Sequence, residues 1–462
     1  MADEHRPVKA FNSSNFARGG LGFFLLCILM EVFINFLFQN RPQQMALSIV
    51  PCLLWGIIGS FSTLIKQLLN KLYVYAMFAL YLIGNINTVA SYVRYGSHYL
   101  SDLQSTNLIY CAFGIFLLIG MLLGERLLPV RKEITSQEFK IERWDTIFLI
   151  GCFLFPFIWF ADEIYALRRI PILTGESVTE DMYTLNYGIL YGYGVLLGVS
   201  ALLMWSKQVT TVNKFLRLIL IGLLTFTAFT MVFDGRRVFL LVFLGALMAF
   251  EVARNGDRGF WKRMSLLGVS LVALYMIILY LRQGGMLGTR SSTALTFSQV
   301  GVEYRDFAFL VTHYVPGELA GYSWLGSAAG GFVNWLILAL LGFSKNELVF
   351  SGSAYQIALA FRSSFGIRIG LLPEIWLQYG LYGVTFAALM GIFFVWVARL
   401  VEESTSEIGR IFACLTYGVA VLSFVGQTSA ITGYLSLILY LWLCWRFLEL
   451  FKPSAPAIQK TG

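Results

Sequence analysis

Apolar runs of about 18 to 27 residues, separated by short polar punctuation, recur along nearly the whole chain. A helix rises 1.5 Å per residue, so about twenty such residues cross the hydrocarbon core of a bilayer. Runs this uniformly apolar suit helices, which satisfy their own backbone hydrogen bonds in lipid; the strands of a transmembrane barrel would alternate instead. Spans are expected near 21–38, 45–65, 72–93, 106–124, 145–164, 183–205, 212–233, 236–253, 264–281, 372–398, 408–429 and 432–448. The fold expected is therefore all-α, a polytopic transmembrane helical bundle of about twelve spans. Composition agrees, with 58% hydrophobic and 13% charged residues against roughly 25% charged in soluble domains.

The polar segment Met1 to Gly20 precedes an apolar run that is too long for a signal peptide and lacks a small-residue cleavage site, so the run is expected to be a first span. All six cysteines fall inside apolar runs, where they read as small buried hydrophobes; neither a disulfide framework nor metal-ligand spacing is apparent. The net charge of +8 does not imply nucleic acid, because the basic residues are scattered at span ends. With both termini cytoplasmic, 22 of the 34 lysines and arginines fall inside and the positive-inside rule is met.

The division by residue type is sharper. Ten of eleven lysines lie inside and only Lys345 outside, whereas the other external cations are Arg41, Arg94, Arg168, Arg169, Arg236, Arg237, Arg282, Arg290, Arg305, Arg362 and Arg368. Arginine offers a planar fork to phosphate oxygens and keeps its charge when partly desolvated. An arginine-rich outer face thus suggests an anionic ligand, the competing reading being that these side chains, Arg41 and Arg94 above all, snorkel to lipid headgroups.

Two external segments exceed a tight turn: 161–182, and 282–371, where apolar Phe332 to Phe343 is too short to span and reads as a re-entrant or interfacial helix. The organisation expected is one membrane domain over 1–462 with 282–371 as a large external insertion.

Three constellations carry chemistry. Asp234-Gly235-Arg236-Arg237 places two arginines in a turn between apolar runs, where either a diphosphate or Asp234 would compensate them. Glu303-Tyr304-Arg305-Asp306-Phe307, followed by His313, gathers carboxylates, a cation and an imidazole; helical spacing puts Glu303, Asp306 and Phe307 on one face and turns Arg305 elsewhere. Glu303, Asp306 or His313 is the expected catalytic base, since a base beside a cation can deprotonate a hydroxyl next to a developing anion. Arg362 and Arg368 precede Pro373-Glu374, Trp376 and Tyr379-Gly380-Leu381-Tyr382-Gly383, with Glu374 in a helix-starting position that favours a carboxylate in any case. Tyr322, Trp324, Trp335, Tyr355, Trp376 and Tyr379 are read either as an interfacial belt or as platforms for sugar rings. Signatures of ATP hydrolysis, zinc chemistry and a serine elbow are missing, and Glu31 and Asp162 alone do not make a proton relay.

In the Gly235-Arg236-Arg237 turn, the Tyr304-Arg305-Asp306 triplet and Glu374 with Tyr379-Gly380-x-x-Gly383, the chain resembles the Wzy-type oligosaccharide repeat-unit polymerases, which include the O-antigen and enterobacterial common antigen polymerases. The likeness covers about Phe226 to Phe394 in outline and only hydropathy before that. The family member nearest in outline has Thr where Arg236 stands, so Arg237 alone carries over at that turn; Arg305, Asp306 and Glu374 carry over directly. His313 matches no fixed position of the family, although a histidine in this loop is similar to the related O-antigen ligases.

The resemblance implies a GT-C-type membrane glycosyltransferase of the bacterial inner membrane, with its site in a large periplasmic loop. It joins repeat units carried on undecaprenyl diphosphate, donor and acceptor alike, by inverting transfer without metal or other cofactor. A chain-length regulator is an expected partner besides the bilayer. On this reading Arg237, Arg305 and Arg290 meet the diphosphates, with Arg236, Arg282, Arg362 and Arg368 as further candidates, and Glu374, Tyr322, Trp324 and Tyr379 contact substrate. An O-antigen ligase would use the same donor, and a lipid-linked glycan translocator would need the cations but no base.

Overall fold

The computed structural model describes residues 13–128, 148, 151, 237–255, 259–266, 301–317, 324–332, 369–404 and 406–451. Among them every regular element is helical. The spans expected at 145–164, 183–205 and 212–233, and most of 264–281, lie outside the described residues, Phe148 and Gly151 apart. The chain divides into two compact units, each drawn from separated stretches: Met1–Val130, Arg290–Trp324 and Ser353–Trp396 form one, and Arg131–Thr289, Leu325–Gly352 and Val397–Gly462 the other.

In the first unit, α1 (Ser13–Leu37), α2 (Ile49–Ser62), α3 (Leu68–Tyr95) and α4 (Leu103–Leu127) follow one another through short turns. Helix α1 begins at Ser13, eight residues ahead of the expected span at Leu21, so part of the expected polar tail is helical. Small residues let α1 and α2 meet closely: a Cβ on Gly19 would lie 2.9 Å from the Gly59 carbonyl oxygen, and one on Gly59 2.8 Å from that of Gly19. Phe23 then stacks on Phe78 of α3 at 4.1 Å, and Trp55 of α2 stands 4.9 Å from the same ring.

Carboxylates close the connections. Glu125, near the end of α4, accepts the backbone N–H of Lys66 at 3.0 Å and that of Gln67 at 3.3 Å, neutralising the start of α3. The α2–α3 turn and the end of α4 therefore lie at one end of the unit, and the α3–α4 turn lies at the other. Arg41, expected to reach for headgroups, instead pairs with Glu31 in the last turns of α1, donates to Asn35 at 2.8 Å and has its side chain largely buried, the carboxylate supplying the anion within the protein. Arg94 is exposed and lies over the Tyr95 ring.

Helices α6 (Val302–His313), α8 (Leu371–Tyr379) and the first part of α9 (Leu381–Glu403) complete this unit. The continuous span expected at 372–398 is broken: Gly380, at φ +59° and ψ −139°, separates α8 from α9. Only glycine takes that conformation cheaply. Helix α9 crosses α4 where both carry glycine, with Gly391 and Gly120 each meeting the partner's backbone.

The second unit holds α5 (Arg237–Asn255), most of α7 (Trp324–Phe332), the end of α9, α10 (Glu407–Leu422) and α11 (Thr428–Glu449). Gly245 of α5 and Gly418 of α10 meet with no room for a side chain. Buried Glu251 pairs with Arg263 from the 259–266 segment, a carboxylate that hydropathy alone had hidden inside an apolar run. The expected short helix at 332–343 lies outside the described residues except for Phe332, the last residue of α7.

Among the described residues, six helices are long and apolar enough to cross a membrane: Ser14–Leu37, Gln43–Ser62, Leu68–His98, Leu103–Leu127, Leu381–Glu403 and Thr428–Glu449. Their outer faces are strongly apolar, and several polar side chains lie within. Leu21, Leu25, Leu29, Val32 and Phe36 stand exposed along α1, while Asn85, Asn87, Thr88, Ser91 and Asn107 are completely buried. Span-length helices with leucines and phenylalanines turned outward and asparagines buried among apolar side chains suit a lipid solvent, and the protein is an α-helical membrane protein. Cys27, Cys52, Cys111 and Cys414 are buried as expected; Cys444 is exposed on the face of α11 that also turns out Leu443 and Phe447, and Cys152 lies outside the described residues.

Candidate functional site

The chemistry expected at the second constellation is carried by α6, a helix of twelve residues and too short to span. Gly301 starts it at φ +71°, ψ 33°, a left-handed turn that brings the chain against α3: a Cβ there would lie 3.2 Å from the Gly84 nitrogen. Tyr304 then rests on Gly84 so tightly that any side chain at 84 would collide with its ring. Eight residues later, Thr312 accepts the backbone N–H of Asp102 in the α3–α4 turn at 2.7 Å.

These contacts fix where α6 lies along α3. Gly84 lies near the middle of α3, eleven residues before its end at Tyr95, about 16 Å along the axis at 1.5 Å per residue. The start of α6 thus sits beside the middle of a span-length helix, and α6 climbs from there to the α3–α4 turn. Glu303 to Asp306, expected in an external loop, belong to a helix packed on α3 and α4. The sequence of the loop could not reveal this, because the docking surface is supplied by glycine and small polar residues more than two hundred positions away.

Tyr304 is buried to 2% exposure, and its hydroxyl donates to Oδ1 of Asn107 on α4. Asn107 Nδ2 donates to Asn85 Oδ1 on α3 at 2.9 Å, and Asn85 Nδ2 donates to the Tyr81 carbonyl oxygen at 2.7 Å. The Tyr304 ring meets Tyr110 edge-on at 5.0 Å and Tyr81 at 6.3 Å. None of Asn85, Asn107, Tyr81 or Tyr110 was singled out by sequence reasoning; the only signal was the presence of two asparagines inside apolar runs.

Arg305 does not point elsewhere, as helical spacing suggested. Its side chain folds back so that Nε donates to Asp306 Oδ1 at 2.8 Å and Nη2 approaches the same oxygen at 2.6 Å, with Nη1 at 3.5 Å from Ser91 Oγ of α3. A long flexible arm reaches a neighbouring carboxylate that a fixed-angle wheel places out of range. Both side chains are nearly buried. Burial pushes the Asp306 carboxyl up to about 6, against the pull of Arg305 and with a small addition from Glu303. Burial thus makes this group more basic than an ordinary carboxylate.

The other expected residues are placed as follows. His313 ends α6, exposed, with Nδ1 2.9 Å from the Phe309 carbonyl oxygen and its ring stacked on Phe309, so it caps the helix about 10 Å along the axis from Asp306. Glu374 lies in the first turn of α8 and is completely buried. Helix α8 meets α6 through Trp376, which stands edge-on to Phe307 at 5.4 Å, and it meets the turn after α6 through the Leu377 carbonyl oxygen, which accepts Gly317 N–H at 2.8 Å. Trp376 is therefore a packing residue and not a surface platform. Trp324 packs on Phe386 at 5.3 Å, and Tyr379 is exposed where α8 ends. Arg237 is the first residue of α5, in the second unit. Arg236, Arg282, Arg290, Arg362, Arg368 and Tyr322 lie outside the described residues.

Chemically, the arrangement offers one carboxylate of raised basicity, held by a guanidinium and backed by a buried hydrogen-bond chain at the level of a span. Comparison with protein-family models, curated proteins and solved structures finds no match to this chain.

Proposed function

We propose that the protein is a GT-C-type membrane glycosyltransferase of the Wzy kind, which polymerises oligosaccharide repeat units carried on undecaprenyl diphosphate at the periplasmic face of a bacterial inner membrane. On this reading about twelve spans cross the membrane with both termini cytoplasmic, and α6 opens toward the periplasm. The observation that carries it is the Arg305–Asp306 pair at 2.8 Å, packed beside the middle of α3 within the Tyr304-Arg305-Asp306 triplet. Ionisable groups at that depth are costly unless function retains them.

Asp306 takes the role of base. It removes the proton from a sugar hydroxyl of one lipid-linked unit, the hydroxyl oxygen bonds to the anomeric carbon of the second, and the bond from that carbon to the diphosphate oxygen breaks with inversion. The electron pair leaves with undecaprenyl diphosphate. Arg305 holds the Asp306 carboxylate in position, and the diphosphate charge falls to Arg237 and Arg290, with Arg236, Arg282, Arg362 and Arg368 as further candidates; Glu374, Trp324, Tyr379 and Tyr322 flank the glycan.

The test is incubation of purified protein with a synthetic undecaprenyl-diphosphate repeat unit in the presence of a chelator. A ladder of products one repeat apart is the expected result. Binding without any new glycosidic bond would replace the polymerase with a translocator, and transfer to lipid A core in place of a second repeat unit would make it a ligase.

A further inference from the structure

The buried chain from Tyr304 through Asn107 to Asn85 joins three helices, and its members do more than fill space. The Tyr304 hydroxyl donates to Asn107, Asn107 to Asn85 and Asn85 to the Tyr81 carbonyl oxygen, and Asn85 also meets the Tyr304 hydroxyl directly, so the three side chains hold one another. Asn85 and Asn107 are completely buried, and Tyr304 nearly so. Interhelical hydrogen bonds in membranes contribute little net stability, because the separated helices find other partners. Apolar groups of similar shape would hold three helices together about as well.

What the chain supplies is direction. A helix packed only by apolar contacts can turn or slide by a residue at small cost, whereas a hydroxyl that must meet one amide oxygen cannot. Tyr304 is the residue before Arg305 and two before Asp306, so its orientation sets theirs. The glycine at 84 admits the ring in one place, and Thr312 ties the far end of α6 to Asp102. We infer that Asn107 and Asn85, acting through Tyr304, are positioning residues that set the rotation of α6 and so aim the Asp306 carboxylate. The inference rests on the proposed function for its consequence in turnover, and on geometry alone for its consequence at Asp306.

Infrared difference titration of the purified full-length protein separates the two. The Asp306 band is identified by its loss in Asp306→Asn, and its midpoint in the unaltered protein is expected near 6. Among the described residues, the charged groups acting on Asp306 are Arg305 and Glu303 of its own helix; Ser91 of α3 meets Arg305, and Tyr110 and Asn107 of α4 meet Tyr304. Tyr304→Phe and Asn107→Leu free α6 to turn and water to reach the carboxyl, so the midpoint falls by at least half a unit toward the ordinary value of about 3.9. Thr106→Val removes a buried hydroxyl from the same layer that bonds only the Asp102 carbonyl oxygen of its own helix, and leaves the midpoint unchanged.

An unchanged midpoint in both folded variants overturns the inference, as does an equal shift in Thr106→Val. Loss of the folded protein in Tyr304→Phe overturns it too, because the chain would then be a stability element. In the elongation assay the same two variants lower kcat at least tenfold with KM little changed. If the unaltered protein elongates nothing, the polymerase reading falls and the infrared midpoints still decide the positioning role.

Discussion

At the scale of the residue, Asp306 decides what the site can do. Its carboxyl stands at about 6 in the folded protein, against about 3.9 in an unfolded chain. A folded value above the unfolded one means that the native state favours the protonated form. The contribution to stability is therefore fully present below about pH 4 and is lost as pH rises through about 6. Activity runs the opposite way, since a base must be ionised. Elongation should fall about tenfold for each unit below pH 6, whereas chemical denaturation should show greater stability at pH 4 than at pH 7. Asp306→Asn flattens the stability profile and lowers elongation by about 10²–10⁴-fold, the range general-base catalysis commonly supplies. A denaturation profile unchanged by Asp306→Asn would show that the group does not titrate in this way. The residue type and its neighbour Arg305 were plain in the sequence. Their mutual contact was not, because it depends on side-chain torsions that a helical wheel ignores.

At the scale of the element, the glycines govern which helices can approach. Gly84 receives the Tyr304 ring, and Gly84→Ala places a methyl group inside it. Overpacking of this kind costs about 1–3 kcal/mol, so the variant should melt earlier in detergent and lose elongation together with stability. A variant of normal stability and rate would show that α6 docks elsewhere. Gly380 governs the break between α8 and α9. Gly380→Ala forces a side chain onto φ +59° and ψ −139°, at a cost of about 1–3 kcal/mol, and thermal unfolding measures it. The Gly380-x-x-Gly383 spacing was visible as a motif, but its meaning is conformational. Gly380 N–H reaches the Trp376 carbonyl oxygen at 2.6 Å, and Gly383 lies against the Ile375 carbonyl oxygen, so the two glycines let the chain break between α8 and α9 with the backbones in close contact.

At the scale of the whole molecule, exposed leucines and phenylalanines around buried asparagines suit a bilayer. The protein should remain in the membrane pellet after alkaline carbonate extraction and enter solution only with detergent; release by carbonate alone would contradict the membrane reading of its exposed apolar faces. Span-length helices such as Leu103–Leu127 were legible from hydropathy, because a twenty-residue apolar run has only one low-energy backbone in lipid. The triplet Tyr304-Arg305-Asp306 was equally legible as a cluster of chemistry. Its place along α3 was not, and neither was the partnership of Tyr304 with Asn107 and Asn85, since hydropathy records how polar a residue is and not which residue it meets. Backbone desolvation is a local requirement, so the chain alone determined that this protein is a set of membrane helices. The seat of α6 beside Gly84 arises from contacts between residues some two hundred positions apart, and only the tertiary structure could decide it.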